Sequence, residues 1–177
     1  MNEIINETAL SSYRDYNGGY FKTLIPPTAT GGALALMEMV LPKGSEPPLH
    51  VHANEDETFY LLEGEMEFVI GGSRTKLKPE GSIFAERGVP HLFRILSAEA
   101  RFLTVITPGK FWEFFQEFST PTIGEPVIFP PQGPPPPEAL QRLIERMTNV
   151  YQIILIGPGD EQRADVAADI QPSVDAG

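Results

Sequence analysis

Residues Gly44 to Gly64 read GSEPPLHVHANEDETFYLLEG, and the spacing inside that stretch points to both an architecture and a chemistry. Side chains on a β-strand alternate between faces with a period of two, so His50 and His52 point the same way. Glu57 follows five residues after His52. A later stretch, PEGSIFAERGVPHLF from Pro79 to Phe93, adds His91 and completes the chain's total of three histidines. Two imidazoles on one strand face, a carboxylate from the next segment and a third imidazole from another strand form a mixed nitrogen and oxygen donor set. Such a set suits one divalent transition ion: iron, manganese, nickel, copper or zinc. Three acids compete for the carboxylate role. Asp56 has the wrong parity relative to Glu57, and Glu55, though of the right parity, is expected with Asp56 on a solvated turn. Glu57 is therefore the expected ligand.

These residues resemble the cupin superfamily. Its first motif, G-x5-H-x-H-x3/4-E-x6-G, is met at Gly44, His50, His52, Glu57 and Gly64. Its second, G-x5-P-x-G-x2-H-x3-N, is met at Gly88 and His91, but Glu80 replaces the first Gly, Glu86 the Pro and Ile95 the Asn. Gly81 reads as the turn glycine moved by one place. The resemblance covers residues 31–118 and implies a small all-β barrel (jelly roll) with a metal at His50, His52, Glu57 and His91. Within the superfamily the chain resembles single-domain bacterial cupins of the quercetinase (flavonol dioxygenase) type, which carry a Phe-rich segment after a strand ending in Pro-Gly, here Pro108-Gly109. That likeness implies a dioxygenase in which Glu57 is both ligand and catalytic base. Two other readings stay open: a non-redox isomerase or lyase using the ion as a Lewis acid, and a ligand-binding cupin without turnover.

The surrounding pattern agrees with many short strands. Tyr20–Ile25, Ala33–Leu41, Thr58–Leu62, Glu65–Ile70, Ser73–Lys78, Ser82–Ala85, His91–Leu96 and Arg101–Thr107 are separated by Gly- and Pro-containing turns, as in a β-barrel. Glu63-Gly64 is expected to close a hairpin. Residues sharing a face with the ligands, Phe59 and Phe93, together with Phe68, Met37 and Met39, are expected to give an apolar, partly aromatic substrate pocket. In KFWEFFQEF (Lys110–Phe118), Phe111, Phe114, Phe115 and Phe118 form one helical stripe, read as a flanking helix or a wall of the cavity mouth.

This gives a barrel with its Phe-rich helix at 20–120, preceded by an arm at 1–19. A Pro-rich, semi-rigid linker follows at 121–137. Residues 138–157 hold an amphipathic helix, striped by Leu140, Leu143, Ile144 and Met147, and the apolar YQIILIG. An acidic flexible tail at 158–177 ends the chain. The apolar segments 111–118 and 151–157 are expected to pack on the barrel or across the two-fold axis of a homodimer.

Composition narrows the function classes. The 177 residues suffice for a core that buries about two thirds of the unfolded surface. A net charge of −11 with only 13 Lys and Arg argues against a nucleic-acid partner, which needs basic patches. There is no cysteine, so disulfides and thiolate sites are excluded. The opening MNEIINETALSS lacks the basic and apolar regions of a secretion signal, and no apolar run is long enough for a membrane span; a cytoplasmic location is expected. The expected partner is a small-molecule ligand or substrate.

Overall fold

The computed structural model describes residues 12–157, so the expected acidic tail and the first part of the expected arm lie outside the described residues. Within them the chain forms β1 (Arg14–Tyr16), β2 (Gly19–Ile25), β3 (Ala35–Pro42), β4 (His50–His52), β5 (Asp56–Glu63), β6 (Met66–Ile70), β7 (Ser73–Leu77), β8 (Ser82–Ala85), β9 (His91–Ile95) and β10 (Glu99–Thr107). A short helix α1 (Trp112–Glu117) follows, then β11 (Thr120–Pro121), helix α2 (Pro137–Asn149) and β12 (Ile153–Leu155). The strands make two antiparallel sheets, ordered β11-β1-β2-β3-β10-β5-β8 and β12-β4-β9-β6-β7. The all-β jelly-roll expectation, with short helices flanking it, describes this architecture. No helix among the described residues is long and apolar enough to cross a membrane.

The core lies between the sheets because each long strand alternates. Along β10, Ala100, Phe102, Thr104 and Ile106 are buried while Arg101, Leu103 and Val105 are not. Lateral register then builds rows across the sheet: Phe102 sits between Leu61 and Met39, and Thr104 between Phe59 and Met37. Phe59 and Phe102 from this sheet meet Phe68 and Phe93 from the other, with ring centroids 5.0 to 6.0 Å apart. Each such pair adds roughly 0.5–1.5 kcal/mol beyond the area it buries. On the outer face Glu38 accepts from Arg101 at 2.8 Å and pairs with Lys22 at 3.2 Å.

Three sequence expectations need correcting. Glu63-Gly64 does not close a hairpin: β5 pairs with β10 and β8, whereas β6 pairs with β7 and β9. The chain crosses from one sheet to the other at Gly64, whose φ is +90°, and a Cβ there would lie 2.5 Å from the Glu99 carbonyl oxygen. The glycine of the second motif is not displaced either. Glu80 itself holds the left-handed conformation (φ +71°), with its N–H on the Leu61 carbonyl. Gly81 is instead needed for space, since a Cβ would meet Leu77 and the Lys78 carbonyl at 2.8 Å. Finally, part of the expected arm belongs to the sheet, because β1 pairs with β2 and β11.

The C-terminal part is built onto the barrel. β12 pairs antiparallel with β4, Ile153 opposite His52 and Leu155 opposite His50. Glu117 of α1 accepts from Arg146 of α2 at 2.7 Å and from the Tyr151 hydroxyl at 2.9 Å. The Pro-rich stretch is extended and largely exposed, tied to the barrel where the Phe129 N–H donates to the Gly18 carbonyl at 2.8 Å. Phe111, Phe114, Phe115, Tyr151 and Ile153 are thereby buried within one chain. In the same segment Ile154 is 56% exposed, and β7 and β8 remain edge strands.

Glu80 gives a test of the turn. A non-glycine residue in the left-handed region costs roughly 1–2 kcal/mol, against about 0.5–1 kcal/mol for the extra chain entropy of glycine. Glu80 is exposed, so Glu80→Gly is expected to raise stability by about 0.5–1 kcal/mol. The check is urea unfolding, with a higher midpoint at unchanged slope. A lowered midpoint would contradict the assigned turn.

Candidate metal centre

β4 contributes His50 and His52 to one buried face, with Val51 turned away. β9 runs beside it and places His91 directly opposite His50. The turn leading into β9 is fixed from the same strand: Gly88 (φ +77°) donates its N–H to the His52 carbonyl at 2.8 Å. Glu57 comes from β5 in the other sheet, in register with Ile106 and Ala85. The four side chains predicted from spacing are thus brought together, three from one sheet and one from the other, and all four are buried.

Their donor atoms converge. His50 Nε2 lies 3.1 Å from His52 Nε2. Glu57 Oε2 lies 3.5 Å from His52 Nε2 and 3.3 Å from His91 Nε2. One donor atom from each residue falls within 4.8 Å of all the others. Donors bound about 2.0–2.2 Å from a single ion lie about 3–4.4 Å apart, so the spacing is close to that around one ion. The tautomers fit too. His50 Nδ1 donates to the Pro48 carbonyl at 2.8 Å and His91 Nδ1 to the Val89 carbonyl at 3.0 Å. In a neutral ring each Nε2 then keeps its lone pair facing inward.

Electrostatics favour the binding form at His50 and Glu57, whereas at His91 burial is outweighed by the hydrogen bond and charge of Glu57, which raise the pKa, so an ion must displace a proton there. Burial, reinforced by the neighbouring charges of His91 and His52, lowers the His50 pKa to about 3. For Glu57, burial opposes the charge, but His52 and the hydrogen bond from His91 outweigh it and hold the carboxyl at about 2. A neutral imidazole beside an ionised carboxylate is what a divalent cation binds.

The donors line a cavity of about 390 Å³. Phe59, Phe93 and Met39 line it as expected, whereas Phe68 and Met37 are fully buried in the packed core and do not reach it. Sequence reasoning missed several wall residues. Tyr16 comes from the supposed arm, and Pro131, Leu143 and Met147 come from the supposed linker and the helix after it. Their patterning was visible as apolar stripe and proline run, but nothing local said where either would dock. Of the two roles weighed for the Phe-rich helix, the cavity wall is realised by Phe111, Phe114 and Phe115, while Trp112 is anchored by its Nε1 donating to Thr23 Oγ1 at 2.9 Å.

Two acids were placed together and the structure separates them. Asp56 accepts from the Arg87 guanidinium at 2.6 Å in a half-open ion pair. Glu55, expected on a solvated turn, is only 4% exposed. Its side chain folds inward, with the parity of Glu57, and its Oε2 lies 3.6 Å from His52 Nδ1.

Comparison with known proteins agrees with this geometry. Residues 37–106 match the family model for the cupin domain, a span that holds all four donor residues. It is 32% identical over 101 residues to quercetin 2,3-dioxygenase of Bacillus subtilis (strain 168), covering 57% of this chain and 29% of that protein. An uncharacterized protein of Aquifex aeolicus (strain VF5) is 36% identical over 71 residues, 40% of this chain and 58% of that one. The chain therefore spans less than two thirds of either relative. Among solved structures, one described as a predicted oxalate decarboxylase from Thermotoga maritima superposes with a TM-score of 0.50 at 26% identity, covering 59% of this chain and 98% of that one.

The centre predicts a metal content. Protein purified without added metal should carry about one divalent ion per chain by elemental analysis. His52→Ala and His91→Ala should each lose most of it, since three donors remain and the geometry is broken. Full occupancy in either variant would remove that residue from the ligand set.

Proposed function

We propose that this protein is a metal-dependent dioxygenase acting on a small, partly aromatic or apolar molecule at the site formed by His50, His52, Glu57 and His91. The observation that carries this reading is the cavity itself: the donor cluster sits at the foot of a chamber walled by Phe59, Phe93, Phe111 and Phe114. The similarity to a quercetin dioxygenase supports it. A first-row transition ion held by the four residues would supply Lewis acidity and, where the ion is redox-active, electron transfer to dioxygen.

The chain's own residues do the rest. Glu57, buried at the donor end of the cavity, is the carboxylate placed to accept the proton of an acidic substrate hydroxyl. His91 Nε2 lies 3.3 Å from that carboxylate, its neighbour in the ligand set. The aromatic walls exclude water and stack against a flat substrate, which strengthens the electrostatic contacts at the donor end.

A metal-dependent lyase is the second reading, favoured by the likeness to the predicted oxalate decarboxylase. The lining weighs against a small dianion as substrate: among the described residues no Lys or Arg borders the cavity.

The test is oxygen uptake by metal-loaded protein across a panel of flavonols and other small phenols. Glu57→Gln should keep part of its metal, because the amide oxygen can still coordinate, and should lose roughly 10²–10⁴-fold in initial rate, because the amide takes no proton. Equal rates in wild type and Glu57→Gln would remove the carboxylate from the chemistry. Release of carbon dioxide without oxygen uptake would move the lyase ahead.

A further inference from the structure

We infer that Glu55 is a positioning residue for the metal centre: a buried carboxylate that orients His52 and adds a second negative charge next to the ion. The inference rests on the metal reading above and extends it beyond the four ligands.

The three histidines are built alike on their inner side and differently on their outer side. All three turn Nε2 towards the shared centre. His50 and His91 each direct Nδ1 at a backbone carbonyl two residues earlier in the chain. His52 has no such carbonyl. Its Nδ1 faces Glu55 Oε2 at 3.6 Å, and neither atom has a hydrogen-bond partner among the described residues. His52 is 1% exposed and Glu55 4%. An unpartnered imidazole nitrogen and an unpartnered carboxylate oxygen, both out of water, are costly to leave apart. A small rotation of either side chain closes the gap to hydrogen-bonding distance.

A cation on His52 Nε2 makes that closure favourable. The ring then carries its proton on Nδ1, the side facing Glu55, and the carboxylate fixes both tautomer and ring orientation. It also makes the ring a stronger donor than the two whose partners are neutral carbonyls. Charge balance points the same way. Glu55 and Glu57 approach His52 from its two ring nitrogens, at 3.6 and 3.5 Å. Together they carry two negative charges in a buried site, and a divalent ion neutralises both. Segment geometry holds Glu55 there: Ala53 N–H donates to the Gln152 carbonyl at 3.3 Å and Asn54 Nδ2 to Gln152 Oε1 at 3.0 Å, so the residues joining β4 to β5 are tied to the C-terminal part.

The test uses Co(II) as the probe. Apparent affinity is measured by competition with a chromophoric chelator for wild type, Glu55→Gln, Glu55→Ala and the half-buried control Asp56→Asn. Proton NMR of the Co(II)-loaded proteins then reads the three paramagnetically shifted Nδ1–H resonances of the ligand histidines. Outer partners of this kind are worth about 10–100-fold in metal affinity. Glu55→Ala should weaken binding towards the upper end of that range and lose one of the three resonances to solvent exchange. Glu55→Gln, whose amide oxygen still accepts the hydrogen bond, should lose about tenfold and keep three resonances with one moved. Asp56→Asn should match wild type. Unchanged affinity and spectra in both Glu55 variants would overturn the inference while leaving the metal site intact. A fall in affinity with all three resonances unmoved would also overturn it, assigning Glu55 to the stability of the turn. Should the alanine variant fail to fold by circular dichroism, the isosteric glutamine variant decides alone by the same criteria. A wild type that takes up no Co(II) would sink the metal reading and this inference with it.

Discussion

Three buried imidazoles and a buried carboxylate meet where the two sheets face each other, and much of the chain is arranged to make that meeting possible. Polar groups of this kind are costly away from water unless each finds a partner. Register supplies the partners. Pairing of His50 with His91 aligns β4 and β9, and the pairing of Glu57 with Ile106 and Ala85 aligns β5 with β10 and β8. A slip of one residue in any of these would turn a ligand to the outer face and an apolar side chain into the site. The aromatic layer beside the ligands, Phe59, Phe68, Phe93 and Phe102, penalises the same slip, because it would expose rings that now pack across the sheets. Ligand geometry and core packing thus enforce one register.

The C-terminal part extends this dependence beyond the cupin domain. β12 lies directly on the strand that carries two ligands, so the helix before it is anchored beside the site. Glu117 ties that helix to the Phe-rich one through Arg146 and Tyr151, and the arginine's hydrogen bond holds the Glu117 carboxyl below its usual range. The two helices between them wall the cavity with Phe111, Phe114, Leu143 and Met147. Residues 37–106 thus supply the donors, whereas part of what a ligand would touch comes from residues outside that span. Substrate preference among proteins sharing the donor set can then differ with the attached segments, in keeping with the way one fold hosts many chemistries.

What the sequence made legible was what depends on local periodicity. The same-face geometry of His50 and His52, the Phe stripe and the start of α2 at Pro137 all follow from periods of two or 3.6 and from proline at a helix start. What it hid depends on pairing over distance. A Glu-Gly step reads as a hairpin whether the next strand returns to its neighbour or crosses to the other sheet, and at Gly64 it crosses. Glu55 shared the parity of Glu57 but was assigned to water because it lay in an acidic run; only the contact with His52 shows that it turns inward. The placement of the Pro-rich stretch and α2 over the cavity was hidden for the same reason, since it follows from β12 choosing β4 as its neighbour.

The central claim is that one ion sits between the two sheets, held by three imidazoles and one carboxylate. X-ray absorption spectroscopy of the protein at the edge of its resident metal tests this most directly. The account predicts a first shell of nitrogen and oxygen at about 2.0–2.2 Å, with outer-shell scattering that requires three imidazole rings. A first shell of oxygen alone, or outer-shell scattering without imidazole, would contradict it.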